Sequence, residues 1–225
     1  MSFILIKNLI KKGGHIGHKI QQWNSSMLPY VYTQKNGICI IDLIQTIICY
    51  HKTCIFLQNK AAEGQNFLFI GTRKEMQSIV ENTAKKSNSF YINKKWQGGL
   101  LTNWTTIQEN IFFFSNNEQK MSTKVTDRNK LIYKKRTFDK YYGGIKKMRS
   151  LPHIVIMTDQ KSNLGAIKEC NRLKIPVVCL LDSNSYSDVI DFPIPTNDDS
   201  VQIISFFFTQ FTEAIIAGRN LRKKK

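Results

Sequence analysis

Short runs of β-branched and aromatic residues recur at 66–70, 90–92, 153–157, 176–181 and 192–194, separated by longer stretches with helical spacing. That alternation predicts an α/β body of parallel strands joined by crossover helices. The first clear helix covers 42–63, with Leu43, Ile44, Ile47, Ile48, Cys54, Ile55, Ala61 and Ala62 as its apolar positions and Gly64 as its stop. Further helices are predicted over 74–86, after Thr102, and over 163–173. The last should begin near Asn197, a good cap, with Asp198 and Asp199 favouring the positive end of the helix dipole. It would bury Val201, Ile204, Phe208, Phe211 and Ile215 and end at Gly218.

Between Trp104 and Tyr142 the alternation stops. No strand pattern, Pro or Gly appears there, only Ile107, Ile111 and Phe112 to Phe114, a polar stretch over 115–126, then Leu131, Ile132 and Tyr133 among bases. This reads as a helical hairpin inserted at 104–142 into one globular domain made of 1–103 and 143–225. The chain's 225 residues suffice for a single core. Apolar runs such as Cys39-Ile40-Ile41 and Phe206-Phe207-Phe208 fall far short of the roughly 20 residues of a membrane span, so a soluble protein is expected.

Charge then narrows the partner. Lys and Arg total 33 against 16 Asp and Glu, a formal net charge of +17, which a polyanion neutralises best. Nucleic acid ranks first and an anionic membrane second. Residues 1–60 carry seven Lys and one acid, Asp42; residues 124–149 carry ten bases against Asp127 and Asp139; residues 150–217 carry eight acids and four bases. The polyanion is therefore expected on the first two thirds of the chain. Five scattered cysteines without a CxxC pair argue against a disulfide framework or zinc cluster. The N-terminus lacks the marks of a signal or transit peptide. Lys outnumbers Arg 26 to 7 and there are 29 Ile, a bias that fits an A/T-rich organellar genome.

Several stretches offer chemistry. Gly13-Gly14-His15-Ile16-Gly17-His18-Lys19 reads as a basic loop whose glycines let its backbone approach a phosphate; without neighbouring Cys or carboxylate, His15 and His18 make a poor metal site. Gly71-Thr72-Arg73-Lys74, between a strand and a helix, offers N–H groups and two cations to an anion, or is an ordinary turn with exposed bases. It matches neither a P-loop nor GxGxxG. Trp96, beside Lys94 and Lys95, either stacks on a nucleotide or plugs the core, while Trp104 is expected in the core. The arm with Lys130, Lys134, Lys135, Arg136, Lys146, Lys147 and Arg149 lacks neutralising acids, which favours RNA over a merely solvated face. The tail from Arg219, including Arg222 and Lys223, suits a segment that orders on an anionic surface.

Seven blocks then carry a resemblance over nearly the whole chain. They are Gly14-His15-Ile16-Gly17-His18 with Trp23-Asn24 and Met27-Leu28-Pro29-Tyr30; Ile41-Asp42-Leu43 with Thr46; Phe69-Ile70-Gly71-Thr72-Arg73; Trp96-Gln97-Gly98-Gly99-Leu100-Leu101-Thr102-Asn103-Trp104; Gly143-Gly144-Ile145; Ile175-Pro176-Val177; and Ile194-Pro195-Thr196-Asn197-Asp198-Asp199. Together they resemble the bacterial-type, organellar small-subunit ribosomal protein S two family. The resemblance implies a flavodoxin-like parallel sheet flanked by helices with an inserted coiled-coil hairpin. It also implies a seat between head and body on the solvent side of the small subunit, in contact with its ribosomal RNA and neighbouring proteins, near the messenger-RNA exit region. It adds Trp23, Asn24 and Asn103 to the RNA-facing candidates. The sequence departs from the family at Gln22 and Ser25 beside Trp23-Asn24, at Ile16, at His153, and in a shorter hairpin.

The expected mechanism is positional: cations neutralise phosphates and read RNA shape. No catalytic residue, cofactor or metal is assigned, and neither a membrane contact nor a homo-oligomer is expected. The alternative is an α/β enzyme holding a phosphorylated ligand at Gly71 to Lys74. A plastid ribosome fits the composition best, with a mitochondrial or bacterial one as alternatives.

Overall fold

A computed structural model describes residues 2–116 and 125–223, except for the side chains of 2, 3, 114–116, 125–132 and 134. The part of the expected polar tip at 117–124 lies outside these residues, as do the side chains of Lys130 and Lys134.

Five parallel strands form the main sheet: β4 (Phe67–Ile70), β5 (Phe90–Ile92), β6 (Ile154–Met157), β7 (Val177–Leu181) and β8 (Phe192–Pro195), in the order β5-β4-β6-β7-β8. With these strands counted from one, the order 2-1-3-4-5 is that of the flavodoxin-like sheet. β4, β6 and β7 are buried throughout, which explains why they read as continuous apolar runs rather than alternating ones. Their side chains still alternate between two cores. Phe67, Phe69, Ile154, Ile156, Val178, Leu180 and Ile194 face α1 (Ser2–Lys11), α2 (Leu43–Ala62), α3 (Gln77–Lys86) and α7 (Val201–Lys223). Leu68, Ile70, Val155, Met157, Val177, Cys179 and Leu181 face α6 (Leu164–Arg172) and the inner ends of α4 (Trp104–Asn116) and α5 (Val125–Tyr142). Trp104 is buried there, with Ile111 and Phe138.

Three expectations need correction. Residues 13–19 are not a free loop: β1 (Ile16–Lys19) pairs antiparallel with β3 (Ile38–Ile41), which also pairs with β2 (Val31–Lys35) in a small second sheet. A Cβ on Gly17 would sit 2.8 Å from Ser183 Oγ and 3.0 Å from the Cys39 carbonyl oxygen, so this glycine admits protein rather than phosphate. The last helix begins at Val201, not near Asn197. The Asn197 carboxamide accepts from the Asp199 N–H and donates to the Gly13 carbonyl, closing a turn, while Ser200 Oγ accepts from the Ile203 N–H. Gly218 does not end that helix, which runs on to Lys223. A Cβ there would lie 2.2 Å from the Gln58 carbonyl oxygen and 2.7 Å from Ala61 Cβ, so Gly218 lets α7 press against α2. By length and composition α7 suits a membrane span, but Ile203, Ile204, Phe207, Phe208, Phe211 and Ile215 are fully buried in the core.

Candidate nucleic-acid interface

Open α/β sheets usually bind ligands beyond the carboxyl ends of their strands. Here that end is acidic. Asp159, Asp182 and Asp198, which follow β6, β7 and β8, are each no more than 5 % exposed. Burial first, then the charges of Asp182, Asp159 and Asp199, push the Asp198 carboxyl up to about 8. Arg73 Nη1 lies 2.8 Å from Asp199 Oδ1 and donates to the Asp198 carbonyl oxygen at 3.1 Å. Although burial opposes its charge, the hydrogen bond and charge of Asp199 prevail and raise the Arg73 pKa. His18 Nδ1 lies 3.0 Å from Asp182 Oδ2 and its Nε2 3.6 Å from Asp199 Oδ2. Arg73 and His18 thus hold carboxylates of the protein itself beside the Gly71 to Lys74 turn. Sequence spacing hid the carboxylates near His18, which come from strands far along the chain. Among the described residues no group of three or more His, Cys, Asp or Glu could hold a metal ion.

Trp96 is also engaged. Its indole Nε1 donates to Glu169 Oε1 at 2.9 Å, as does the Gly99 N–H; the Leu101 and Thr102 N–H groups and the Thr102 hydroxyl donate to Oε2. Burial works against the Glu169 charge, and these hydrogen bonds outweigh it and lower the pKa. Half-buried, Trp96 packs against the second core and braces this loop. Lys94 bonds the Gln77 carboxamide. Asn24 caps its own turn by accepting from the Ser26 N–H, and Asn103 accepts from the Thr106 hydroxyl. The Trp23 indole nitrogen and His15 Nδ1 are buried without a hydrogen-bond partner.

A concavity of about 910 Å³ lies at the opposite end of the sheet, around edge strand β5. Three routes bring cations there. The turn after α5 supplies Lys146 and Lys147, the end of α3 supplies Lys85, and α7, running back from the carboxyl ends of the strands, supplies Arg219, Arg222 and Lys223. Among the described residues no Asp or Glu lines the cleft. Lys85 pairs outward with Glu81 at 2.6 Å, and Lys146 with Asp139. Among the described residues Lys147, Arg219, Arg222 and Lys223 have no ion-pair partner. The Arg219 guanidinium is half-buried, lies 5.9 Å from the centroid of the Phe67 ring and donates to the Ser87 carbonyl and the Ser89 hydroxyl. Desolvation lowers its pKa, the mark of a cation short of counter-charge.

Lys146, Lys147, Arg222 and Lys223 therefore come together as expected cations of one surface, although the last two belong to a helix rather than an unstructured tail. Lys19, Lys74, Lys95, Arg136 and Arg149 are exposed elsewhere, and Lys135 is half-buried. Lys85 was missed, and Arg219 was expected only as the start of the basic tail. Arg219 was readable as the position four after core-facing Ile215, which sets it at the core margin; nothing local marks Lys85.

A basic α/β scaffold with an acidic strand end and a cationic cleft is the class these features define. A family model described as ribosomal protein S2 matches residues 9–218. The chain is 38 % identical over 224 residues to small ribosomal subunit protein uS2c of Gracilaria tenuistipitata var. liui, covering 97 % of each. It is 38 % identical to uS2c of Phaeodactylum tricornutum, covering 98 % of this chain and all of the relative. To uS2 of Nostoc punctiforme it is 37 % identical, over 98 % of this chain and 86 % of the relative. The chain belongs to the ribosomal protein S2 family. It is accordingly a ribosomal protein and not an enzyme, which removes the phosphorylated-ligand alternative.

Proposed function

We propose that this chain is a structural constituent of the small ribosomal subunit, seated between head and body on the solvent side, where it binds small-subunit ribosomal RNA, touches neighbouring small-subunit proteins and supports translation. The carrying observation is the cleft around β5, where, among the described residues, six cations meet and no carboxylate lines the wall. Phosphates that enter it release counterions and replace the missing counter-charge of Arg219 and its neighbours. Lys135, Arg136 and the rest of the basic arm at 104–142 extend the RNA contact beyond the globular domain. One copy serves each subunit, away from any membrane. The relatives in algae and cyanobacteria, with the Lys-rich and Ile-rich composition, favour a plastid ribosome in the stroma. The test is sedimentation of the tagged chain through a sucrose gradient after organelle fractionation. It should travel with the small subunit of plastids and leave that peak after ribonuclease treatment; recovery only in slow, RNA-free fractions would overturn the reading.

A further inference from the structure

We infer that the cleft around β5 is a seat for a sugar-phosphate backbone, with Arg219 as its fixed phosphate contact and Lys147, Arg222 and Lys223 as its adaptable rim. The inference rests on the proposed binding of small-subunit ribosomal RNA and names the place and the residues.

The case begins with how Arg219 is held. A guanidinium carries five N–H donors in a rigid fork, and Arg219 uses two groups internally, on the Ser87 carbonyl and the Ser89 hydroxyl. The Phe67 ring supports it, and Gly218 fixes its backbone by locking α7 onto α2. Its remaining donors are thus oriented before any ligand arrives, which lessens the ordering cost of binding. Its charge has no carboxylate to answer it among the described residues. A phosphate diester supplies both the counter-charge and a bidentate acceptor.

Exposed Lys147, Arg222 and Lys223 surround this point, and the Arg222 guanidinium abuts Gly64. The cleft is large and half-open, and its rim is cationic. An open cationic trough suits a polymer passing through. Half-buried Phe90 and Tyr91 form part of the floor, the Tyr91 hydroxyl is engaged by Glu81, and Gln65, Asn66 and Asn88 add carboxamides to the lining. The cations contact phosphates, and such contacts position the RNA.

The test uses the full chain and a transcript of the small-subunit ribosomal RNA, with affinity measured by filter binding between about 50 and about 200 mM salt and the protected nucleotides mapped by hydroxyl-radical footprinting. Lys147→Ala and Lys223→Ala should each reduce the salt slope by about one. Arg219→Lys keeps the charge, so the slope should hold while affinity falls about tenfold through loss of the fork. These variants and Arg222→Ala should lose the same protected nucleotides, whereas Arg136→Ala on the arm should lose different ones. A thermal melt checks the half-buried Arg219 variant; if it does not fold, the exposed pair Lys147→Ala and Arg222→Ala decides. Unchanged affinity, slope and footprint in the cleft variants, with weakening by Arg136→Ala, would overturn the cleft and leave ribosomal RNA binding intact. Wild-type binding that is absent or indifferent to salt would overturn both.

Discussion

Five donors converge on the Glu169 carboxylate, and through it α6 holds the loop from Trp96 to Thr102. Glu169→Ala leaves those donors without their acceptor, so stability should fall by about 2–3 kcal/mol in urea unfolding at unchanged m. Asp198 gives the second expectation at this scale. Its folded pKa, about 8, lies above the ordinary carboxyl value, so the folded state binds the extra proton. The stability this proton confers is present below the unfolded pKa and lost as pH rises through the folded one, between about 4 and about 8. Asp198→Asn should flatten the fall in thermal midpoint across that window; an equally steep fall in the variant would assign it to other groups. Sequence reading recognised Trp96 and His18 as special but misjudged their partners. Glu169 lies 73 positions from Trp96, and Asp182 lies 164 positions from His18. No local pattern encodes such meetings, since tertiary folding alone creates them.

At the level of elements, the five parallel strands were legible because each is a short run rich in apolar residues, buried throughout in β4, β6 and β7, and α2 was legible from its apolar spacing. The small antiparallel sheet was not. β1 and β2 are mostly exposed or half-buried and carry little apolar alternation, and β1 holds the glycine that had suggested a loop. Gly218 was misread for a related reason: a glycine marks a helix end or a close helix contact equally well in sequence, and only the approach of Gln58 and Ala61 on α2 decides. That approach has a consequence for binding. Gly218→Ala improves helix propensity by up to about 1 kcal/mol, but its methyl overlaps a backbone oxygen, so α7 must move away from α2. We expect a net loss of about 1–3 kcal/mol by denaturant unfolding. Arg219 and Arg222 move with the helix, so RNA affinity should fall as well. A Gly218→Ala protein as stable as wild type would mean that the two helices have room to spare.

Seen as a whole, the molecule separates its charges along the sheet: buried aspartates gather at the carboxyl ends of the strands, and unpaired cations gather around the edge strand at the other end. Composition announced the surplus of bases, and the chain-wise distribution pointed to the first two thirds, yet half of the cleft's cations come from the end of α7. A helix that crosses the sheet returns its last turn to the amino-terminal side, which a linear count of charge cannot register. The proposed arm at 104–142 offers the sharpest test of how the parts divide. Ile111 and Phe138 belong to the second core, whereas Phe112, Phe113 and Tyr133, which lie between them in the chain, are exposed. Replacing residues 112–137 by a short Gly/Ser linker therefore keeps the core contacts of α4 and α5 while it removes seven bases and two acids. The shortened chain should still unfold cooperatively, with most of its thermal midpoint retained. Its RNA affinity should drop with a shallower salt slope, because fewer counterions are released on binding. Footprinting should show the nucleotides held by the cleft still protected and those held by the arm exposed. Loss of cooperative unfolding would instead make 112–137 part of the core, and the division into a globular domain and an inserted arm would fail.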